Sequence, residues 1–302
     1  MRTAIRGVFV PNRRARNLER TMALLTVCIP VAGVVVALFL LWGHSVGKPE
    51  LFSLLVLYCA TVVGIGLGYH RLASHHSFQT RPGVEAVLIC LGSMAAQGPV
   101  LFWAAIHRRH HSHSDRQGDP HSPNYRPAGA EGYWRAAWHA HTGWLFEHQV
   151  TSWGTYAQDL LREPLVVRLS RPAYYFGSIF LGLALPALVC GVAAGSWLGA
   201  LNGLVWGGLV RTFLVHHVTW SINSICHLFG THAYRSGDYS GNVPWLALLT
   251  FGESWHNNHH AFPASAIHGL EWWQIDLSGY IVRTLRALKL AWNVKVPDPR
   301  SI

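Results

Sequence analysis

Charge disappears from the chain over residues 21–43, TMALLTVCIPVAGVVVALFLLWG, and returns only briefly before a second apolar run, LFSLLVLYCATVVGIGLGYH (51–70). A later pair follows at YYFGSIFLGLALPALVCGVAAG (174–195) and WLGALNGLVWGGLVRTFLVHH (197–217). A helix needs about 20 apolar residues to cross a bilayer, and each run supplies that length. The pattern predicts four membrane-spanning helices. The first run is too long for the apolar core of a leader and lacks a small-residue cleavage site, so it is expected to be retained. A fifth stretch, GVEAVLICLGSMAAQGPVLFWAAI (83–106), is also long enough to span. Glu85, Gln97 and the Gly98–Pro99 pair argue instead for a helix lying against the protein or the interface. Parity agrees, because a crossing there would put His107 on the opposite side from His70 and His75.

Composition fits this reading: the 302 residues are 50% hydrophobic and 13% charged, which is outside the range of ordinary soluble chains. The net charge of +10 is unevenly placed. Six Arg fall in residues 1–20, eight in 107–171, and six Lys or Arg after 221, while the short connections 44–50 and 195–197 hold only Lys48. By the positive-inside rule the N-terminus, 71–172 and the C-terminal part face the cytoplasm. The basic flanks are expected to meet anionic lipid; no nucleic-acid partner is expected. The five Cys form no CxxC pair and read as small buried residues, with neither an iron–sulfur site nor a disulfide framework.

Histidine changes the picture. There are 20, and most lie in four groups: His70 and His75 in YHRLASHHSF; His107, His110 and His111 in HRRHH; His227, with Asn223, in NSICH; and His256, His259 and His260 in WHNNHH. Both HxxHH clusters use i, i+3, i+4 spacing, which places three rings on one side of a helix. The predicted crossings return all four groups to one membrane face, where they are able to converge. A lone histidine at a membrane boundary more often anchors than ligates, and His44, His148, His216 and His217 are read that way. His76, His113, His121, His139, His141, His232 and His268 are not separated by spacing alone. Nine imidazoles exceed the needs of one tetrahedral zinc and suit two ions of a redox metal. All-neutral ligands leave about four positive charges on two divalent ions, so nearby carboxylates are expected to accept the outer ring N–H groups. Asp115, Asp119, Glu253 and Asp276 are the candidates.

HRLASH (70–75), HRRHHSHSD with GDPHSP (107–123), NSICHLFG (223–230) and GESWHNNHHAFP (252–263) in this order resemble the membrane-bound fatty acyl desaturases of the stearoyl-CoA Δ9 type, particularly bacterial members. The resemblance runs from about residue 50 to the C-terminus. It implies an all-α integral membrane protein: four transmembrane helices (21–43, 51–70, 174–195, 197–217) and a cytosolic helical cap (71–172 and 221–302) holding a di-metal centre. A basic arm (1–20) would precede a single domain (21–302). The implied site is the inner membrane's cytoplasmic side. His70, His75, His107, His111 and His260 would bind one Fe²⁺. His110, His227, His256 and His259 would bind the other, with Asn223 reaching it through water. Relatives often carry zinc in place of iron after purification.

The implied reaction uses O₂ and two electrons to place a cis double bond, Δ9, in a saturated acyl chain, with acyl-CoA favoured over acyl-lipid. Trp220, Tyr58 and Val62 match tunnel positions. The stretch before HRRHH, Gln97 to Ile106, has no charge, unlike that of animal acyl-CoA enzymes, and this leaves CoA, membrane lipid and carrier protein all open as the acyl carrier. Arg108, Arg109, Arg116 and Arg126 are available for phosphates, with Arg108 and Arg109 turned from the metals. The chain has no haem, flavin or iron–sulfur pattern, so electrons are expected from a ferredoxin-, rubredoxin- or cytochrome b5-like partner fed by an NAD(P)H reductase. The rival readings are a membrane di-iron hydroxylase or alkane monooxygenase and, from another class, a metal transporter.

Overall fold

The computed structural model describes residues 5–41, 46–125, 132–147 and 149–298. Helix α1 is Arg13–Leu41. Helix α2, Lys48–Val63, continues unbroken as a wider π-helical segment, Gly64–Ser74. Four helices are long and apolar enough to cross a membrane: α1, α2 with its extension, Pro172–Ala194, and Trp197–Leu228. The second and fourth outrun the apolar stretches that predict them. Polar side chains end a hydropathy signal without breaking a helix, so His70 closes the second apolar stretch inside an unbroken helix, and Asn223 and His227 ride on the continuation of the fourth. The segment expected as a basic arm over 1–20 is helical from Arg13. Ahead of it, β1 (Val8–Phe9) pairs antiparallel with β3 (Val150–Thr151).

The stretch 83–106 is two helices, α3 (Pro82–Ser93) and α4 (Val100–His113). Their connecting turn holds Ala96 and Gly98 at φ 55° and 96°. Helix α3 lies close against the extension of α2: a Cβ on Gly64 would fall 2.1 Å from the Gly92 nitrogen. The pair forms a hairpin that enters the bundle and returns to the end it came from, so His107, His110 and His111 meet His70 and His75. Parity is satisfied without a fifth crossing.

The remaining helices gather at that end: α5 (Tyr133–His141), α6 (Trp153–Tyr156) and α7 (Pro164–Leu169) precede the third span, α8 (Pro172–Ala194). The fourth span is α9 (Trp197–Gly203), a π-helical stretch Leu204–Val210 and α10 (Arg211–Leu228). Then follow α11 (His256–Ala261) and α12 (Leu277–Ala287), with β2 (Gln79–Thr80) paired to β4 (Ala291–Trp292). Leu160, Val166, Ile89, Val100 and Val215 join one buried cluster beneath the histidines. Full burial of a Leu or Val contributes about 1.5–3 kcal/mol where water is the alternative.

Two of the four histidines read as interfacial anchors are placed otherwise. His216 is buried and donates Nε2–H to the Ala95 carbonyl at 2.5 Å. His217 pairs with His141, Nδ1 to Nε2 at 2.9 Å. His44 and His148, like Arg126, lie outside the described residues.

Candidate metal centre

All nine candidate histidines fall into two groups. His70, His75, His107, His111 and His259 form one; His110, His227, His256 and His260 form the other, each with ligand nitrogens within 4.8 Å of one another. The exchange of His259 for His260 corrects the partition implied by the resemblance. Helix geometry explains it: residues four apart sit nearly in line, whereas the third is turned aside. In α4, His107 and His111 therefore face the first group and His110 the second. In α11, His256 and His260 face the second group and His259 the first. Each box straddles both positions. Asn223 lies one turn before His227 on α10 and lines the adjoining cavity.

Carboxylates fix the rings. His70 donates Nδ1–H to Glu253, His110 to Asp119 at 2.9 Å, His227 to Asp115 at 2.9 Å and His260 to Asp238 at 2.6 Å. Asp238 is the residue that sequence reasoning missed. It stands in a polar loop 18 positions before its partner His260's box begins (256 − 238), and no local spacing marks it. Asp276, expected in this role, instead binds Arg71 at 2.9 Å and caps α12 through the Gly279 nitrogen at 2.8 Å. Arg71 in turn holds Glu253 at 2.8 Å, so Asp276 acts one partner further out. Four carboxylates touching ligand rings match the roughly four positive charges of two divalent ions.

These bonds decide what the inner nitrogens are. A neutral imidazole that donates from Nδ1 keeps a bare lone pair at Nε2. His110 and His260 both donate outward, yet their Nε2 atoms face each other at 3.4 Å. Two lone pairs so placed repel unless a cation lies between them, which is the arrangement a metal ligand set requires. The residues therefore fit a pair of metal ions. Burial keeps six of the imidazoles neutral: desolvation, aided by neighbouring rings, drives His75, His107, His111, His256 and His259 well below their ordinary pKa, and His260 down to about 4. Burial also acts on His110, but Asp119 more than offsets it and the net shift is upward. Burial would raise Asp115, yet its bonds from His227 and Ser122 hold it at about 2.

A cavity of about 480 Å³ opens beside the first group, lined by the rings of His107, Trp103 and Trp220 and by Asn223. Trp103 stacks on His107 with centroids 5.0 Å apart. Its other walls come from α1 (Met22, Ala23, Thr26), the Ala96–Pro99 turn and the start of α8 (Tyr175, Phe176). Tyr58 and Val62 are not among the lining residues. Val62 is packed in the core, and Tyr58 donates its hydroxyl to the Leu249 carbonyl at 2.8 Å. His121, buried with Nδ1 unpartnered, and Trp144, whose Nε1 is unpartnered, lie on the wall as well. Arg109 is also on the wall, but its donors go to Gly118, Thr151 and Gln149. Arg108 is used by Ser74, Ala73 and Asp159. Only Arg116 of the described three is exposed.

A helical membrane-type bundle carrying two facing histidine groups and an apolar cavity defines an oxidoreductase of lipid chains in broad class. The comparisons narrow it: the fatty acid desaturase family model matches residues 49–287, and the chain belongs to that family. It is 43% identical to the hex-5-enoyl-[acyl-carrier protein] acetylenase of Moorena producens (strain JHB), over 97% of this chain and 91% of that one. It is 41% identical to the sn-1 stearoyl-lipid 9-desaturase of Anabaena variabilis, over 82% and 85%. With the Delta-9 acyl-lipid desaturase 1 of Arabidopsis thaliana it shares 40% identity over 83% and 76%.

Proposed function

We propose that this protein is an O₂-dependent desaturase that places a cis double bond, at Δ9, in a saturated acyl chain esterified to membrane lipid. The observation that carries the reading is the apolar cavity running directly onto the His107 ring. A CH₂–CH₂ pair held there meets the histidine groups with water excluded, and positioning of this kind supplies much of the rate. The overall change is balanced: the acyl chain loses two hydrogens, and O₂ with two electrons and two further protons leaves as two waters. An iron pair, when bound by the nine histidines, supplies the O₂-derived oxidising power that an unactivated C–H bond demands. The protein's own share is to hold the nine rings in place, to neutralise the ions with Asp115, Asp119, Asp238 and Glu253, and to bend the chain between Trp103 and Trp220. An acidic ferredoxin-, rubredoxin- or cytochrome b5-like carrier brings the electrons to the basic cytoplasmic side.

Membrane lipid is the carrier we favour over CoA, because the cavity is walled by α1 and α8, whose other faces are exposed apolar surface. The arginines beside it are occupied internally, which leaves little to recognise a nucleotide's phosphates. A second reading has support in the relative that matches 97% of this chain: removal of two further hydrogens from an existing alkene on a carrier-protein thioester, giving an alkyne. Expression in a bacterium that lacks such double bonds, with a ferredoxin and its reductase, tests both. Gas chromatography–mass spectrometry of derivatised fatty acids is expected to show a new monoene that His110→Ala abolishes. A new alkyne would favour the second reading, hydroxylated product would move the assignment to a hydroxylase, and no oxidised product with metal and donor present would overturn both.

A further inference from the structure

Arg211 lies within the fourth span, and its whole residue is 1% exposed. A guanidinium so placed is costly unless its donors are used, and intramembrane charges of this kind mark functional positions. Its hydrogen-bond partners among the described residues are neutral oxygens, and each is available for a local reason. Gly182 lies four residues before Pro186, which has no N–H to give it, and accepts at 3.3 Å. Met94 closes α3, where helix carbonyls lack donors, and accepts at 2.8 Å. The Thr61 hydroxyl donates to Leu57 at 2.6 Å and accepts from Arg211 at 3.3 Å. The Gly207 carbonyl, on Arg211's own helix, accepts at 3.2 Å.

His216, further along α10, takes the next carbonyl of the same turn, Ala95, at 2.5 Å. Two adjacent carbonyls are thus held from one helix. From the other side the Tyr175 hydroxyl accepts the Gly98 N–H at 2.9 Å, and Tyr69 donates to the Gly98 carbonyl at 3.2 Å. The turn needs such restraint, because Ala96 sits at φ 55°, a conformation unfavourable for a residue with a Cβ. Ala96 to Pro99 form one wall of the cavity beside His107.

We propose that Arg211 and His216 are positioning residues: by clamping the Met94–Pro99 turn they set the register at which an acyl chain passes the histidine groups, and so which carbon pair is oxidised. The proposal rests on the acyl-chain reading. Neither residue touches the candidate metal ligands, so metal content is expected to stay at the wild-type level. Arg211→Met, Arg211→Lys, His216→Ala and His216→Gln are compared with wild type in three measurements: metal per protein, affinity for the fluorescent polyene cis-parinaric acid, and double-bond position in the product. Arg211→Met is expected to lower kcat/KM by up to roughly a hundredfold, as a small misplacement of the chain does, to weaken the polyene severalfold and to spread the double bond over neighbouring carbons. Arg211→Lys and His216→Gln, which keep a donor, should restore part of each effect. Should Arg211→Met fail to accumulate, the His216 pair gives the same reading at a site with a single bond to lose. Unchanged product position and polyene affinity across the variants that accumulate would overturn the clamp. A wild type that binds the polyene but yields no oxidised chain would overturn the underlying reading, while the polyene affinities still decide the clamp.

Discussion

The Asp238 carboxylate illustrates how much rests on single atoms at this site. Burial pushes its pKa up, but the His260 ring and the hydroxyls of Ser240 and Ser236 outweigh that and hold it well below the usual carboxylate range. It therefore stays ionised and orients His260 at any ordinary pH. Asp238→Asn removes the charge and lets the side chain present an N–H to the ring. We expect a tenfold to hundredfold loss of metal affinity at the second group alone, read as a fall toward one metal per chain by mass spectrometry of the metal content. Retention of two ions would contradict the role. The residue illustrates a limit of legibility too. Six of the ligand histidines announce themselves through spacing of three and four, but Asp238 acts across a loop, and the assignment of His259 and His260 depends on how α11 is rolled.

At the scale of elements, the π-helical extension of α2 and the α3–α4 hairpin are what bring HRLASH and HRRHH together. Hydropathy showed that residues 83–106 were apolar and parity that they do not cross. It did not show a hairpin, because the closeness of α2 and α3 depends on two backbones meeting at glycines far apart in sequence. Gly64→Ala would place a methyl 2.1 Å from the Gly92 nitrogen and 2.4 Å from the Leu91 carbonyl carbon. Overpacking against backbone cannot be relieved by a rotamer change, so the variant should lose about 1–3 kcal/mol and show a lower melting midpoint in detergent. Gly83→Ala, which meets nothing within 4 Å, serves as the control and should melt at or slightly above wild type. Equal midpoints for the two would refute the packing argument.

For the whole molecule, keeping so many imidazoles uncharged couples stability to pH. The folded chain holds His260 and His141 at about 4, and others lower than usual, while the unfolded chain takes up protons at the ordinary 6.5. The unfolded state binds more protons between those values, so acidification favours it. Chelator-stripped protein should keep its full stability above pH 6.5 and lose it as pH falls toward about 4; a melting midpoint that stays flat across that window would contradict this. Metal loading should raise the midpoint at neutral pH, since the ions bind the folded state alone. Chelation should reverse the gain.

The pairing of Val8–Phe9 with Val150–Thr151 has a consequence for how the molecule is made. Helix α1 leaves the ribosome early and must wait in the lipid while α2, the hairpin and much of the cap are synthesised. Until Val150 and Thr151 emerge, the strand pairing that ties its leading end to the cap is missing, and the cavity that both segments line has an open flank. The compartment meant to exclude water is thus sealed by a late stitch between the first residues and the middle of the chain. A bulky fusion placed directly ahead of Val8 would be expected to leave the spans inserted and the histidines gathered, but that flank unsewn.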